Sequence, residues 1–384
     1  ITFTQFFSLS FLLFSPIPVF NSNSQFLLME LISGLPDDLA LDCLICVSYQ
    51  QFPAVTAVCK AWKTEIQMPE FCRRRKEAGY VQKIIVMVQA TVDSENSRSG
   101  AIKGVKNPVY RLTVCEPETG LWSEMPPIPG LSVGLPMFCQ IAGVGFDLVV
   151  MGGLDPDSYK ASNSVFVYNF VSGKWRRGAD MPGGSRTFFG CASDKRRFVY
   201  IAGGHSEDKN ALRSAFVYDV ASDEWVLLPH MARGRDECKA IFHNGKFRVI
   251  GGYCTERQGR FERTAEAFDV ATWKWDPLEE EYLDAAMCPR TCVDGDDKVY
   301  MCGAGGEVIA RHGDTWQPIA KLGDEIQNVA LVMPWDGKML VIGSSASSEP
   351  HVGIVLDLKT GNSRKLEIPP KYTGHIQSGC LLEM

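Results

Sequence analysis

The side chains with the most chemistry in this 384-residue chain are six histidines, thirteen cysteines and an arginine that recurs at one point of a repeat. The histidines are His205, His230, His243, His312, His351 and His375. None falls in an HxH or HxxxH spacing, and no Cys–His–Asp arrangement is evident. A metal centre needs clustered ligands, and nucleophilic catalysis needs a nucleophile beside its base. The sequence offers neither, so no cofactor, metal or catalytic residue is expected. Two cysteine pairs have suggestive spacing, Cys43 with Cys46 and Cys288 with Cys292. Structural zinc takes four ligands, usually as two matched pairs. Here one pair sits in a helix-like stretch and the other in a strand-like one, which predicts buried structural thiols. The odd count and wide scatter do not fit a secreted disulfide framework and point to reduced thiols in the cytoplasm or nucleus. The arginines are Arg186, Arg235 and Arg290, each just ahead of an apolar strand. A guanidinium suits carboxylates and hydrogen-bonded peptides. It also suits a purely structural tie between neighbouring segments.

These arginines belong to a larger repeat. Gly-Gly pairs close VVMGG at Gly153, VYIAGG at Gly204 and FRVIGG at Gly252. VYMCGAGG and MLVIGSS, around Gly303 and Gly343, are decayed copies. Three further segments, SVFVYNFVSGKW, SAFVYDVASDEW and AEAFDVATWKW, end at Trp175, Trp225 and Trp275, which are 50 residues apart. Earlier and later copies end at Trp122 and Trp316. Each unit reads as four strands: one after the Arg loop, one ending in Gly-Gly, one alternating as in VFVYNF, and one carrying the Trp. Glycine permits positive φ at the strand end, and the Trp face can wedge between neighbouring sheets. A four-stranded unit of about 50 residues is a propeller blade.

Gly-Gly, then aromatic-Asp, then Trp at this spacing resembles the Kelch repeat, over residues 83–384. The expected fold is mainly β, with a Kelch β-propeller of six blades; five is the alternative. The first blade lacks a first strand, and the last segment, GHIQSGCLLEM, supplies one. The C-terminal strand would then close the ring and leave no bare sheet edge. In such a blade the loops after the second and fourth strands share one face. Those loops are long here, and loops on a rigid scaffold collect binding residues. That face is the expected substrate site, with Arg186, Arg235 and Arg290 converging on it and Asp155, His205 and Tyr253 at its rim.

Ahead of the repeats stands LPDDLALDCLICVSYQQFPAVTAVCKAW, Leu35 to Trp62. It is helical in pattern, with Pro53 suited to a first turn. The unit over residues 29–80 is small and too apolar for its size, and an exposed apolar patch usually marks a partner site. Leu-Pro, acidic residues and a closing Val-Cys-Lys-x-Trp resemble an F-box. A small helical F-box followed by a Kelch propeller resembles the plant F-box/Kelch-repeat group. That resemblance implies a substrate receptor for a Skp–cullin–F-box ubiquitin ligase, non-catalytic itself. It places Leu35, Pro36, Leu39, Leu44, Val58, Cys59 and Trp62 on the Skp adaptor, and through it a cullin. The propeller would hold a protein for ubiquitination and proteasomal degradation. Phenylalanine ammonia-lyase and type-B cytokinin response regulators are substrates the resemblance suggests. The alternative for Leu44, Val58 and Trp62 is that they mainly hold the small domain's own core, and Trp62 suits either role equally. The alternative is a non-degradative Kelch scaffold. A secreted Kelch-type copper oxidase would need a true signal peptide.

Residues 1–28 carry no charge, and the first Met is Met29. They lack the basic n-region and clear cleavage site of a signal peptide and are broken by Ser, Pro and Asn. They read as a non-native or disordered leader, with a cleaved signal peptide as the alternative. No later stretch reads as a membrane span. The net charge of −6 gives no overall basic field for nucleic acid. The basic run Arg73 to Lys76 reads as a solvated helical face in the connector.

Overall fold

The computed structural model of the chain describes residues 31–92, 108–131, 133–303, 305–346 and 349–384. The expected leader over residues 1–28, and Met29, lie outside the described residues. The chain divides into a short unit ending at Leu44 and a large one, Ile45–Met384. In the short unit a tight turn joins the Leu35 N–H to the Ile32 carbonyl at 2.9 Å. Helix α1, Asp37–Ile45, follows, with Asp37 and Asp38 in its first turn. Carboxylates there favour the helix through its dipole. Asp37 also accepts the Leu31 N–H at 3.1 Å.

The large unit begins with helices α2, Phe52–Thr56, α3, Lys60–Gln67, and α4, Pro69–Glu77. Proline opens α2 and α4, where the missing N–H is not needed. The Cys59 thiol caps α3 by accepting the Trp62 N–H at 3.5 Å. Arg74, Arg75 and Lys76 in the last turn of α4 complement its dipole.

The strands form six four-stranded antiparallel sheets. The first blade takes Ile376–Glu383, Lys83–Ala90, Tyr110–Glu116 and Leu121–Glu124 in that order. The other five run in chain order over residues 140–178, 190–227, 239–275, 293–321 and 328–366. The innermost strands contact one another in a closed cycle. This is the expected propeller of six blades, closed by the C-terminal strand from Lys83↔Glu383 to Gln89↔Ile376. The core lies between blades. Val149, Met151 and Val165 of the second blade, for example, pack against Phe189, Ile201 and Phe216 of the third. Fully burying such a side chain stabilises by roughly 1.5–3 kcal/mol.

Each repeat tryptophan clasps the blade before it. Trp175 Nε1 donates to the Pro126 carbonyl at 3.0 Å, Trp225 to Ala179 at 2.9 Å, Trp275 to Pro229 at 2.7 Å and Trp316 to Tyr282 at 2.8 Å. Trp122 completes the circle by donating to Glu367 at 3.2 Å, just past the sixth blade. The aromatic-Asp signature also has a physical basis. Asp219 and Asp269 accept backbone N–H groups of the turn that follows, and Asp357, which follows Leu356 in the sixth blade, does the same.

The helical segment from Ile45 onward is fastened to the propeller. Phe52 meets the Phe146 ring edge-on at 5.6 Å, Thr56 Oγ1 donates to Val171 O at 2.9 Å, and the Tyr49 hydroxyl donates to Glu116 at 3.1 Å. Phe146, Val171 and Glu116 lie at loops after first or third strands, so this segment occupies one face of the ring. Arg75 corrects the expectation of a solvated basic face. It is buried and donates to Val47 O at 2.7 Å, Tyr80 O at 2.8 Å and Met384 O at 3.2 Å, pinning α4 to the closing strand. Arg73 and Lys76 do face solvent, where Arg73 pairs with Glu70 and Glu77.

Candidate functional site

The opposite face carries the loops after second and fourth strands. Its layout starts at the Gly-Gly pairs. Gly153, Gly204 and Gly252 have φ of 91°, 77° and 79°. A Cβ at these positions would stand 2.6, 2.3 and 2.6 Å from the carbonyls of Met137, Thr187 and Asp236. Only glycine allows that approach. It seats the next residue of each blade against the loop entering that blade, giving the bridges Leu154↔Met137, His205↔Thr187 and Tyr253↔Asp236.

His205 is held on both ring nitrogens. Nε2 meets Thr187 Oγ1 at 2.8 Å and Nδ1 meets Asp236 Oδ2 at 2.8 Å, which links the third blade to the fourth. Tyr253 is buried and its hydroxyl donates to Glu237 at 2.8 Å. Burial and that carboxylate hold the phenol well above its usual range. Asp155 lies one position past the matched place, which Leu154 fills. It is exposed and organises its own loop, accepting the Ser158 N–H at 2.7 Å and the Ser158 hydroxyl at 2.8 Å. Those bonds keep its carboxyl below the usual range.

The recurrent arginines divide. Arg186 and Arg235 are each 1% exposed. Arg186 donates to Gly203 O at 3.2 Å and Ser214 Oγ at 2.9 Å. Arg235 donates to Gly251 O at 2.7 Å, Thr264 O at 3.3 Å and the buried Glu266 carboxylate at 3.1 Å. Both latch the entering loop to the ends of the second and third strands of the same blade. Contrary to the expectation of substrate contact, neither guanidinium reaches the surface. Arg290 is exposed and instead donates to Val329 O at 2.5 Å, at the start of the sixth blade.

Two features of this face escaped the sequence reading. Phe138, Phe188 and Glu237 stand just ahead of the first strands of three successive blades with φ of 59°, 55° and 50°. Left-handed backbone at such residues is uncommon and collects at binding sites. The Phe138 and Phe188 rings lie 4.6 Å apart, and Phe188 is 5.4 Å from the His205 ring. The second feature is an open cavity of about 410 Å³, lined by Arg233, Arg257, Arg260, Phe261, Glu262 and Arg263 among others. Arg233 pairs with Glu262 at 3.0 Å and Glu280 at 2.8 Å, and Arg263 with Glu281 at 3.3 Å. Arg257 and Arg260 have no ion-pair partner among the described residues. The signal available in advance was the loop YCTERQGRFERT itself, with three arginines in twelve residues.

The residues expected to meet an adaptor are placed as follows. In the short unit Pro36 is exposed, Leu39 is 49% exposed and Leu35 is partly buried. Leu44 is buried, which corrects its assignment to a contact surface. In the large unit Val58 is 63% exposed, while Cys59 and Trp62 are half-buried. The expectation of buried thiols holds for Cys292 but not for Cys43, Cys46 or Cys288, which are exposed. Among the described residues no disulfide forms, no three His, Cys, Asp or Glu side chains gather as metal ligands, and no helix is long and apolar enough to cross a membrane.

Comparison with known proteins adds three findings. The sequence profile of the KLHDC2/KLHL20/DRC7 Kelch-repeats domain matches residues 139–318. The F-box/kelch-repeat proteins At1g80440 and At1g15670 of Arabidopsis thaliana are 48% identical over 363 residues and 49% identical over 360 residues. Each alignment covers 93% of this chain and all of the relative. A third Arabidopsis F-box/kelch-repeat protein, At2g44130, is 35% identical over 70% of this chain and 69% of its own length.

Proposed function

The chain belongs to the F-box/kelch-repeat family, and we propose that it is the substrate-recognition subunit of a Skp–cullin–F-box ubiquitin ligase. The helical segment docks the Skp adaptor and the propeller holds a protein for ubiquitination and degradation. It performs no bond chemistry of its own. By holding a substrate near a charged conjugating enzyme it makes lysine transfer effectively intramolecular. The supporting observation is the exposure of Leu39 and Val58 in a helical region that also holds Phe52, Ile66 and Phe71, which are fully buried. Large apolar side chains left in water on a segment otherwise spent on packing suit a partner surface. Pro36 extends the exposed set on the short unit. The substrate is a protein engaged by the loop face, and phenylalanine ammonia-lyase and type-B response regulators are the first to try. Action in the cytoplasm or nucleus follows from this role.

The test is capture of purified Skp adaptor by the chain and by the Leu35→Ala/Pro36→Ala double variant. Binding by the first and loss by the second supports the ligase role. A folded chain that does not bind the adaptor would leave a non-degradative scaffold.

A further inference from the structure

Arg290 stands apart from Arg186 and Arg235 because it does not latch its own blade. It is exposed, and the only hydrogen bond of its guanidinium among the described residues, to Val329 O, uses one terminal nitrogen. Two imidazoles stand near it on the same face, from two other elements. His351 ends the loop between the second and third strands of the sixth blade, and His375 lies just before the closing strand. Their rings are 5.7 Å apart. His375 is exposed, and its Nδ1 meets the Tyr110 hydroxyl at 3.3 Å, leaving Nε2 for a ligand. His351 is only 7% exposed, yet its buried Nδ1 has no hydrogen-bond partner. An unsatisfied buried polar atom costs on the order of 1–3 kcal/mol and calls for an explanation.

We propose that Arg290, His351 and His375 form a subsite for a carboxylate of a protein partner, an acidic side chain inserted at the loop face. It rests on the reading that this face receives a protein. The guanidinium fork suits a carboxylate, and the two imidazoles supply further donors around it. With both rings neutral the cluster carries a single positive charge, which a monoanion matches better than a doubly charged phosphate. The groups around the rings are Arg290, Tyr110 and the other imidazole, and among the described residues no carboxylate opposes them. Burial first, then His375 and Arg290, push His351 down to about 4, and burial and Arg290 lower His375 as well. A docked carboxylate reverses that field and favours the protonated rings. Binding therefore takes up protons, and affinity rises as pH falls.

The probe is a fluorescent oligoglutamate peptide titrated onto the full chain, with an oligoglutamine peptide of equal length as control. Oligoglutamate is expected to bind about fivefold or more tightly at about pH 6 than at about pH 8, within the tenfold per pH unit that one proton allows. Arg290→Gln should weaken it about tenfold, and His375→Gln should flatten the pH profile. Both sites are exposed, so the fold is retained. Lys359→Gln, an exposed change in the turn after the third strand of the sixth blade and so on the opposite face, should leave the peptide affinity unchanged. Affinity without pH dependence, insensitivity to Arg290→Gln, or preference for a phosphoserine peptide would overturn the assignment. So would failure of oligoglutamate to bind. In that case, capture of a protein by the loop face through Arg257 and Arg260 would show that the receptor reading survives.

Discussion

Arg235 and Glu266 form an ion pair buried on both sides, 3.1 Å apart. Truncating one partner leaves the other charge unpaired in the interior. Arg235→Ala is therefore expected to cost about 3–5 kcal/mol, read as a lower midpoint in urea unfolding. Arg290→Ala removes one exposed contact and should cost about 1 kcal/mol or less. Equal losses would show that the two arginines play one role. His351 gives a pH prediction. Its folded pKa is pushed from 6.5 down to about 4, so the unfolded chain takes up the proton first as pH falls. Stability is retained above 6.5 and declines towards 4. His351→Gln should flatten that decline relative to the unaltered chain, measured as denaturation midpoint against pH. The sequence could not separate Arg186 and Arg235 from Arg290. The partners of a latch are largely backbone carbonyls, which every sequence has. Only the strand-end geometry decides which guanidinium finds them.

Elements were far more legible than side chains. Trp122, Trp175, Trp225, Trp275 and Trp316 mark blades because each must span one inter-blade gap and end on a carbonyl. That need fixes residue type and spacing together. Trp275→Phe keeps the apolar wedge but strips the Pro229 carbonyl of its donor, and should cost about 1 kcal/mol. Trp275→Ala adds a cavity and should cost about 3–5 kcal/mol. Similar costs for the two would mean the clasp contributes only bulk. The closing strand could be placed because the first blade lacked a partner for Lys83–Ala90. Arg75 was not legible. Its run, Arg73 to Lys76, looks uniformly solvated in one dimension, and only the docking of α4 sends one of the four inward. Asp155 was misplaced by one position because the bridge that sets the register is a tertiary contact.

At the scale of the ring, residues from Ile45 to Tyr80 are fastened on the face of Glu116, Phe146 and Val171. His205, Tyr253 and the arginine-lined cavity lie on the other face. Sites on opposite faces share no side chains, and changes at such distances usually add within about 0.5 kcal/mol. Val58→Asp places a charge on an exposed apolar position and should weaken adaptor capture about tenfold or more without altering substrate capture. Arg257→Glu/Arg260→Glu reverses the unpaired charges of the cavity. It should weaken capture of an acidic substrate about tenfold and leave adaptor affinity within about twofold. Combining all three substitutions should multiply the two losses and create no new one. A combined variant whose adaptor affinity depends on the loop-face charges would require a coupling path through the blades. The latches and tryptophan clasps argue against that path, since each joins an entering loop to its own blade or one blade to its neighbour.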